Sequence, residues 1–187
     1  SPIVDCGVHY LDVMCQITQS KPLSVSAIGV RLSDEIPTDN YNYGQLQIRF
    51  EDGSVGWYEA GWGPMISETA FFVKDVIGPN GSVSIVSDDD TFKKDSDNLE
   101  NHTKNNCLKI HSSKLDSDHN FISPNKKVIY DEDPSHQDLC DYEQEYFYKS
   151  ISENIDLKSH MEDAYKSLQI ALACDEAVKK SKTVFLD

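Results

Sequence analysis

A chain of 187 residues with a formal net charge of −15 would repel nucleic acid and anionic membranes, and its two arginines, Arg31 and Arg49, build no basic patch to offset that. Its length suits one domain of ordinary size with a proper core, expected to span residues 1–187. No apolar run nears the ~20 residues needed to cross a bilayer, and no G-x-G-x-x-G loop occurs, so the chain alone is not expected to bind a dinucleotide.

Ser1-Pro2 reads as a helix start, a hydroxyl to cap free amides followed by a residue whose missing N–H costs nothing at the first position. Val4, Val8, Leu11 and Cys15 form an apolar stripe, and the helix should run to about Gln19, stopping before Lys21-Pro22. Asp5 and His9, four apart, are predicted to stack on one helix face. A carboxylate beside an imidazole is an acid/base pair: the acid holds the ring and stabilises the cation formed when it takes a proton. The plainer alternative is a solvated pair contributing a few tenths of a kcal/mol. Gly7 lies between them, where Ala would favour the helix by about 1 kcal/mol. Something large is therefore expected to approach the helix at that point.

The spacing predicts a strand over Leu23–Leu32, then a loop over Asp34–Asn42 whose Tyr41, with Tyr43 beyond it, either lines a pocket mouth or serves structure. Two-residue alternation from Gly44 to Phe50, a turn at Glu51-Asp52-Gly53-Ser54 and a return over Val55–Trp62 predict a hairpin. Strands over Ala70–Ile77 and Ser82–Val86 should follow, joined by Gly78-Pro79-Asn80-Gly81. Residues 87–106 are acidic with almost no apolar side chains and read as an exposed excursion. Short strands are expected at Cys107–Ser112 and Lys127–Tyr130, with a turn over Leu115–Asn125.

Two helices close the chain. Asp133-Pro134 should open the first, with Leu139, Tyr142, Tyr146 and Ile151 as its buried stripe. Ser159 and Glu162 have the spacing of a capping box for the second, whose apolar face is predicted at Met161, Ala164, Tyr165, Leu168, Ala171, Leu172 and Val178. Thr183–Leu186 fits a last strand. The five cysteines are odd in number and far apart; Cys6, Cys15 and Cys174 fall in apolar helical patterns, which suits buried free thiols in a reducing, cytoplasmic compartment. No C-x-x-C pair occurs, and His102, His111 and His119 share no regular spacing, so no metal site is expected.

The segment Asp5-Cys6-Gly7-Val8-His9-Tyr10-Leu11-Asp12, with the amphipathic helix behind it, resembles the D-x-x-x-H segment that opens the second domain of the Gfo/Idh/MocA family of NAD(P)-dependent oxidoreductases. Gly44–Glu59, Gly78–Ile85 and Met161–Thr183 are similar to that domain's middle strands and closing helix. The resemblance implies an α+β fold, a largely antiparallel open sheet with helices packed on one face. It implies that Asp5 and His9 fall on the family's catalytic Asp and His, and that an N-terminal dinucleotide-binding domain, bearing the cofactor site and a catalytic Lys, lies outside this chain. The expected activity is oxidation of a secondary alcohol of a sugar, inositol or related polyol. His9 is the base, Asp5 orients it or binds a neighbouring hydroxyl, and Tyr10, Tyr41 and Trp62 are candidates to touch substrate. NAD or NADP would serve the whole protein and none would bind this fragment. Trp57, Tyr58, Trp62, Phe71 and Phe72 are more aromatics than one covered sheet face needs, which points to a homo-oligomer through the sheet or to ordinary core. The alternatives are a carbohydrate-binding or dimerisation module without chemistry, and a member using NAD for glycoside hydrolysis or elimination.

Overall fold

The structure, a computed structural model, describes residues 1–63, 74–86, 107–130 and 134–186. The expected excursion at 87–106, Phe71, Phe72 and the start of the strand expected at Ala70 lie outside the described residues. The chain divides into two compact units, residues 1–66 with 155–187, and residues 67–154. The α+β expectation holds, with the strands shared between two antiparallel sheets rather than one.

In the first unit a π-helical turn, Ile3–Gly7, runs into helix α1, Val8–Thr18. Gln19 ends α1 in the left-handed region, returning its amide to the Cys15 carbonyl at 2.9 Å. Strands β1 (Pro22–Val30), β2 (Tyr43–Phe50) and β3 (Val55–Gly61) follow as an antiparallel meander. Gly53 supplies the positive φ, 87°, that the β2–β3 turn requires. The short terminal strand β8 (Val184–Phe185) pairs with β1, giving the order β3-β2-β1-β8.

One face of this sheet is covered by the π turn, α1 and helix α3, Lys158–Lys180. Ile3, Leu11, Val25, Leu46, Ile48, Ile170 and Cys174 are each at most 1 % exposed. Burial of one aliphatic side chain of this size contributes roughly 1.5–3 kcal/mol, so this is the interior that fixes the helix carrying Asp5 and His9. Alternation places Trp57 on the open face, 48 % exposed, and its neighbour Tyr58 under the helices. The surplus aromatics of β3 are thus divided between the two faces.

The buried residues of α3 are Ser167, Ile170, Ala171, Ala173, Cys174 and Ala177; of the expected face Ala171 is buried and Val178 packs against the core, and the rest is corrected. Met161, Tyr165, Leu168 and Leu172 form a second stripe on the side away from the sheet and are exposed. The helix comes close to β1 at its C-terminal end, where a Cβ on Gly29 would sit 2.8 Å from Val178 Cγ1. The predicted Ser159 cap is also corrected. Asp156 already accepts the Lys158 amide at 2.9 Å, so the helix opens at Lys158, with Leu157 at the cap position and Ser159 inside the first turn.

The linker between β1 and β2 is closed off at both ends. The Asn42 side-chain oxygen accepts from the Leu32 amide at 2.7 Å and its NH₂ donates to the Trp62 carbonyl at 3.1 Å; the Trp62 amide donates back to the Asn42 carbonyl at 2.7 Å. Between these points Arg31 bonds Asp34 and the Ile36 carbonyl and the Asn40 amide bonds the Pro37 carbonyl, while Tyr41 turns its ring into the core.

The second unit holds an antiparallel sheet in sequence order, β4 (Lys74–Gly78), β5 (Gly81–Ile85), β6 (Cys107–Ser112) and β7 (Lys126–Ile129), and helix α2, His136–Ser152. Gly81, at φ 140°, makes the expected turn between β4 and β5. Helix α2 starts later than expected, where Ser135 and Asp138 exchange a capping box. Its expected stripe is corrected as well: Leu139, Tyr142, Tyr146 and Ile151 are all exposed. Helical spacing marks a face that can be buried, but burial requires an element lying over it.

Candidate functional site

The site is built where the π turn and α1 meet the end of β3. Ile3, Gly7 and Leu11 point into the core, which leaves Asp5, Cys6 and His9 on the outside. A π turn closes i→i+5 bonds in place of i→i+4, so it carries one residue more than an α turn. Asp5 lies inside this turn and His9 beyond it in α1. Among the described residues no ion pair joins the two; the Asp5 carboxylate instead accepts the Cys6 thiol proton at 3.5 Å. Both groups are exposed, Asp5 in the π turn and His9 in the first turn of α1.

Gly7 shows what approaches the helix. A Cβ there would lie 3.0 Å from the Tyr58 ring, and Tyr58 in turn stacks on Tyr10, with centroids 5.1 Å apart and planes at 27°. Glycine lets the β3 aromatic seat under the turn, and the turn brings Tyr10 over it. Trp62, one residue past β3, lies near enough to Cys6 to lower the titration of its thiol. Asp5, Cys6, His9 and Tyr10 from the helix thus adjoin Tyr58 and Trp62 from the strand.

Electrostatically the cluster resists further negative charge. Burial raises the titration of the Tyr58 and Tyr10 hydroxyls above the ordinary phenol value, and nearby Cys6, with Asp5 in the case of Tyr58, adds to the rise. Burial and the Asp5 carboxylate likewise raise the Cys6 thiol, partly offset by nearby Trp62. All three stay protonated at neutral pH and act as hydrogen-bond donors, not nucleophiles.

Tyr41 is placed elsewhere. Its ring is 6 % exposed within the core, and its hydroxyl donates to Asp175 of α3. Cys6 corrects the expectation of a buried thiol, since the side of the turn that packs on the core is taken by Ile3 and Gly7; Cys15 and Cys174 are buried, and all five cysteines are free. Tyr58 and Cys6 were not singled out as site residues in the sequence. The signal for Tyr58 was Gly7, which announced a large neighbour without naming it.

The sequence profile of an oxidoreductase family, C-terminal α/β domain, matches residues 2–186. Similar solved structures include levoglucosan dehydrogenase in complex with NADH and levoglucosan, 18% identical with a TM-score of 0.67 over 97% of this chain and 49% of that one. Another is aldose-aldose oxidoreductase from Caulobacter crescentus complexed with glycerol, 16% identical, TM-score 0.66, over 96% and 46%. A third is an oxidoreductase from Agrobacterium radiobacter with NAD⁺, L-tartaric acid and magnesium, 14% identical, TM-score 0.65, over 98% and 48%. This chain therefore spans less than half the length of those structures. No curated protein sequence matches it.

Proposed function

The chain belongs to the Gfo/Idh/MocA oxidoreductase family as its C-terminal α/β domain, and from that premise we propose that it is the substrate-binding and catalytic half of an NAD(P)-dependent dehydrogenase acting on a secondary alcohol of a sugar, inositol or related polyol. The observation that carries the reading is the outward placement of Asp5 and His9 beside the Tyr10–Tyr58 stack. Similar folds bound to levoglucosan with NADH and to glycerol support a polyhydroxy ligand.

The dinucleotide is assigned no residue here. The glycine at the start of α1, Gly7, is buried under Tyr58 and cannot cradle a pyrophosphate. The nicotinamide, bound in the whole protein, supplies the hydride chemistry. This chain's residues handle the alcohol. His9 accepts the hydroxyl proton, an imidazole being suited to gain and lose a proton near neutrality. Asp5 accepts from a neighbouring hydroxyl and favours positive charge on the imidazole as it forms. Tyr10, stacked on Tyr58, and Trp62 are the residues assigned to touch the sugar. Tyr41 enters only through Asp175. The free thiols support a reducing, cytoplasmic compartment.

In the whole protein, addition of sugars or inositols with NAD⁺ or NADP⁺ should generate reduced nicotinamide absorbance, while the chain alone shows no heat of binding to either dinucleotide. Absence of turnover across a broad polyol panel, or micromolar dinucleotide binding by the chain, would overturn the assignment.

We also propose self-association through the open face of the first sheet, where Val55, Trp57, Ile28, Val30 and Phe185 are exposed. Sedimentation velocity at micromolar concentration should show a dimer, and Trp57→Glu should return it to monomer. A wild-type monomer under those conditions rejects this surface.

A further inference from the structure

We propose that Asp175, braced by Tyr41, is a positioning residue that fixes the π-helical turn Ile3–Gly7 and with it the direction in which Asp5 leaves the helix. The side chains form one chain of hydrogen bonds across segments distant in sequence. Asp175 Oδ1 accepts from the Ser1 hydroxyl at 2.7 Å and from the Tyr41 hydroxyl. Ser1 Oγ in turn accepts from the Val4 amide at 3.3 Å, and the Ser1 carbonyl accepts from the Asp5 amide at 3.0 Å. Ser1 therefore holds the first turn by both its side chain and its backbone, and Asp175 holds Ser1.

The anchor is rigid at its other end. The Tyr41 ring is wedged where a Cβ on Gly29 would come within 2.7 Å of it and one on Gly44 within 2.9 Å, so the hydroxyl has no room to swing away. Ile3, fully buried, packs beside the same Gly44, with its side chain 3.1 Å from that Cβ position. Burial, and then the bond to Asp175, pushes the Tyr41 hydroxyl above the ordinary phenol range, so it remains a donor at every working pH. A half-buried carboxylate carries a desolvation cost that an apolar pair of similar shape would avoid, so its presence calls for something the polar chain achieves. A π turn is a rare geometry found mostly as single turns at functional sites, and this one has its amides tied from outside the helix.

The consequence for turnover rests on the proposed role of Asp5, whereas the consequence for the turn does not. Amide hydrogen exchange of the chain, followed residue by residue by NMR, separates them. Asp175→Ala should speed exchange at Val4 and Asp5 about ten- to a hundredfold, the range expected for loss of hydrogen bonds to a charged group, with β1–β3 amides unchanged. Asp175→Asn keeps an oxygen that accepts from Ser1 and Tyr41 and should restore most of the protection. Tyr41→Phe should give a smaller rise at the same two amides, and decides the matter if Asp175→Ala does not fold. In the whole enzyme Asp175→Ala should lower kcat with little change in KM, and Asp175→Asn should recover it. Unchanged exchange at Val4 and Asp5, an equal rise at every amide, or no rescue by Asn would overturn the clamp. Faster local exchange with intact turnover would uphold the clamp and count against Asp5 as a catalytic group.

Discussion

His9→Ala in the whole enzyme is expected to lower kcat by about 10²–10⁴-fold, the usual contribution of a positioned general base, and to leave the Michaelis constant within a few-fold of its starting value. Proton removal is demanded in the transition state and not in the ground-state complex, so the loss falls on turnover. His9 is exposed on α1, while Leu11 and Gly7 on the other side of the same helix are buried; truncation therefore removes no core packing, and the fold should be unaffected. Asp5→Asn should be milder, since an amide still accepts a hydrogen bond but carries no charge to favour the imidazolium. The pH–rate limb that reports the base should flatten in His9→Ala. A raised Michaelis constant with turnover intact would make His9 a substrate-binding group, and the proton would then leave by another route.

The second large effect is a loss of stability in alkali. Cys174 is buried against the sheet, and burial, followed by the neighbouring Asp175 charge, pushes its thiol from 9.0 up to about 12. The buried Tyr41 and half-buried Tyr58 hydroxyls are raised as well, first by burial. Between the unfolded and folded values the folded chain retains protons that the unfolded chain releases. Stability is thus fully present below about pH 9 and declines as pH rises toward 12, by about 1.4 kcal/mol per pH unit for each such proton. For Cys174 alone that amounts to roughly 4 kcal/mol across the interval. Urea unfolding at intervals from about pH 8 to pH 11 should show the decline, and Cys174→Ala should make it shallower. A flat profile would mean that these groups ionise freely in the fold and that water reaches them.

The first sheet was legible because its strands carry their own evidence. Alternation along Gly44–Phe50, Asp-Gly at the turn and the return over Val55–Gly61 are local signals, and the register follows them. The helix bearing Asp5 and His9 was legible in extent but not in winding. Nothing in Ser1–Gly7 announces a π turn, which depends on Tyr58 from β3 and Asp175 from α3 and so is decided by residues far away in the chain. The same limit explains α3. Its pattern supports two apolar stripes, and packing against the first sheet selects the one that holds Ile170, Ala171, Cys174 and Ala177. Tyr41 reads as a loop aromatic from its neighbours, and three-dimensional packing makes it core.

The bracket formed by Asn42 bears on how such a domain could change over time. Leu32 and Trp62 are held to a single side chain, so strand register is settled before and after the β1–β2 linker, and the bonds inside residues 33–40 run among themselves, to Arg31 and to the Tyr41 amide. The linker behaves as a cassette. Lengthening it costs only the slow logarithmic growth of loop closure, about 0.6 kcal/mol for each doubling, and leaves the rows of β1, β2 and β3 undisturbed. New surface can be added there by insertion while Asp5, His9 and the stacked tyrosines keep their places, which separates the part of the sequence free to drift from the part that geometry holds.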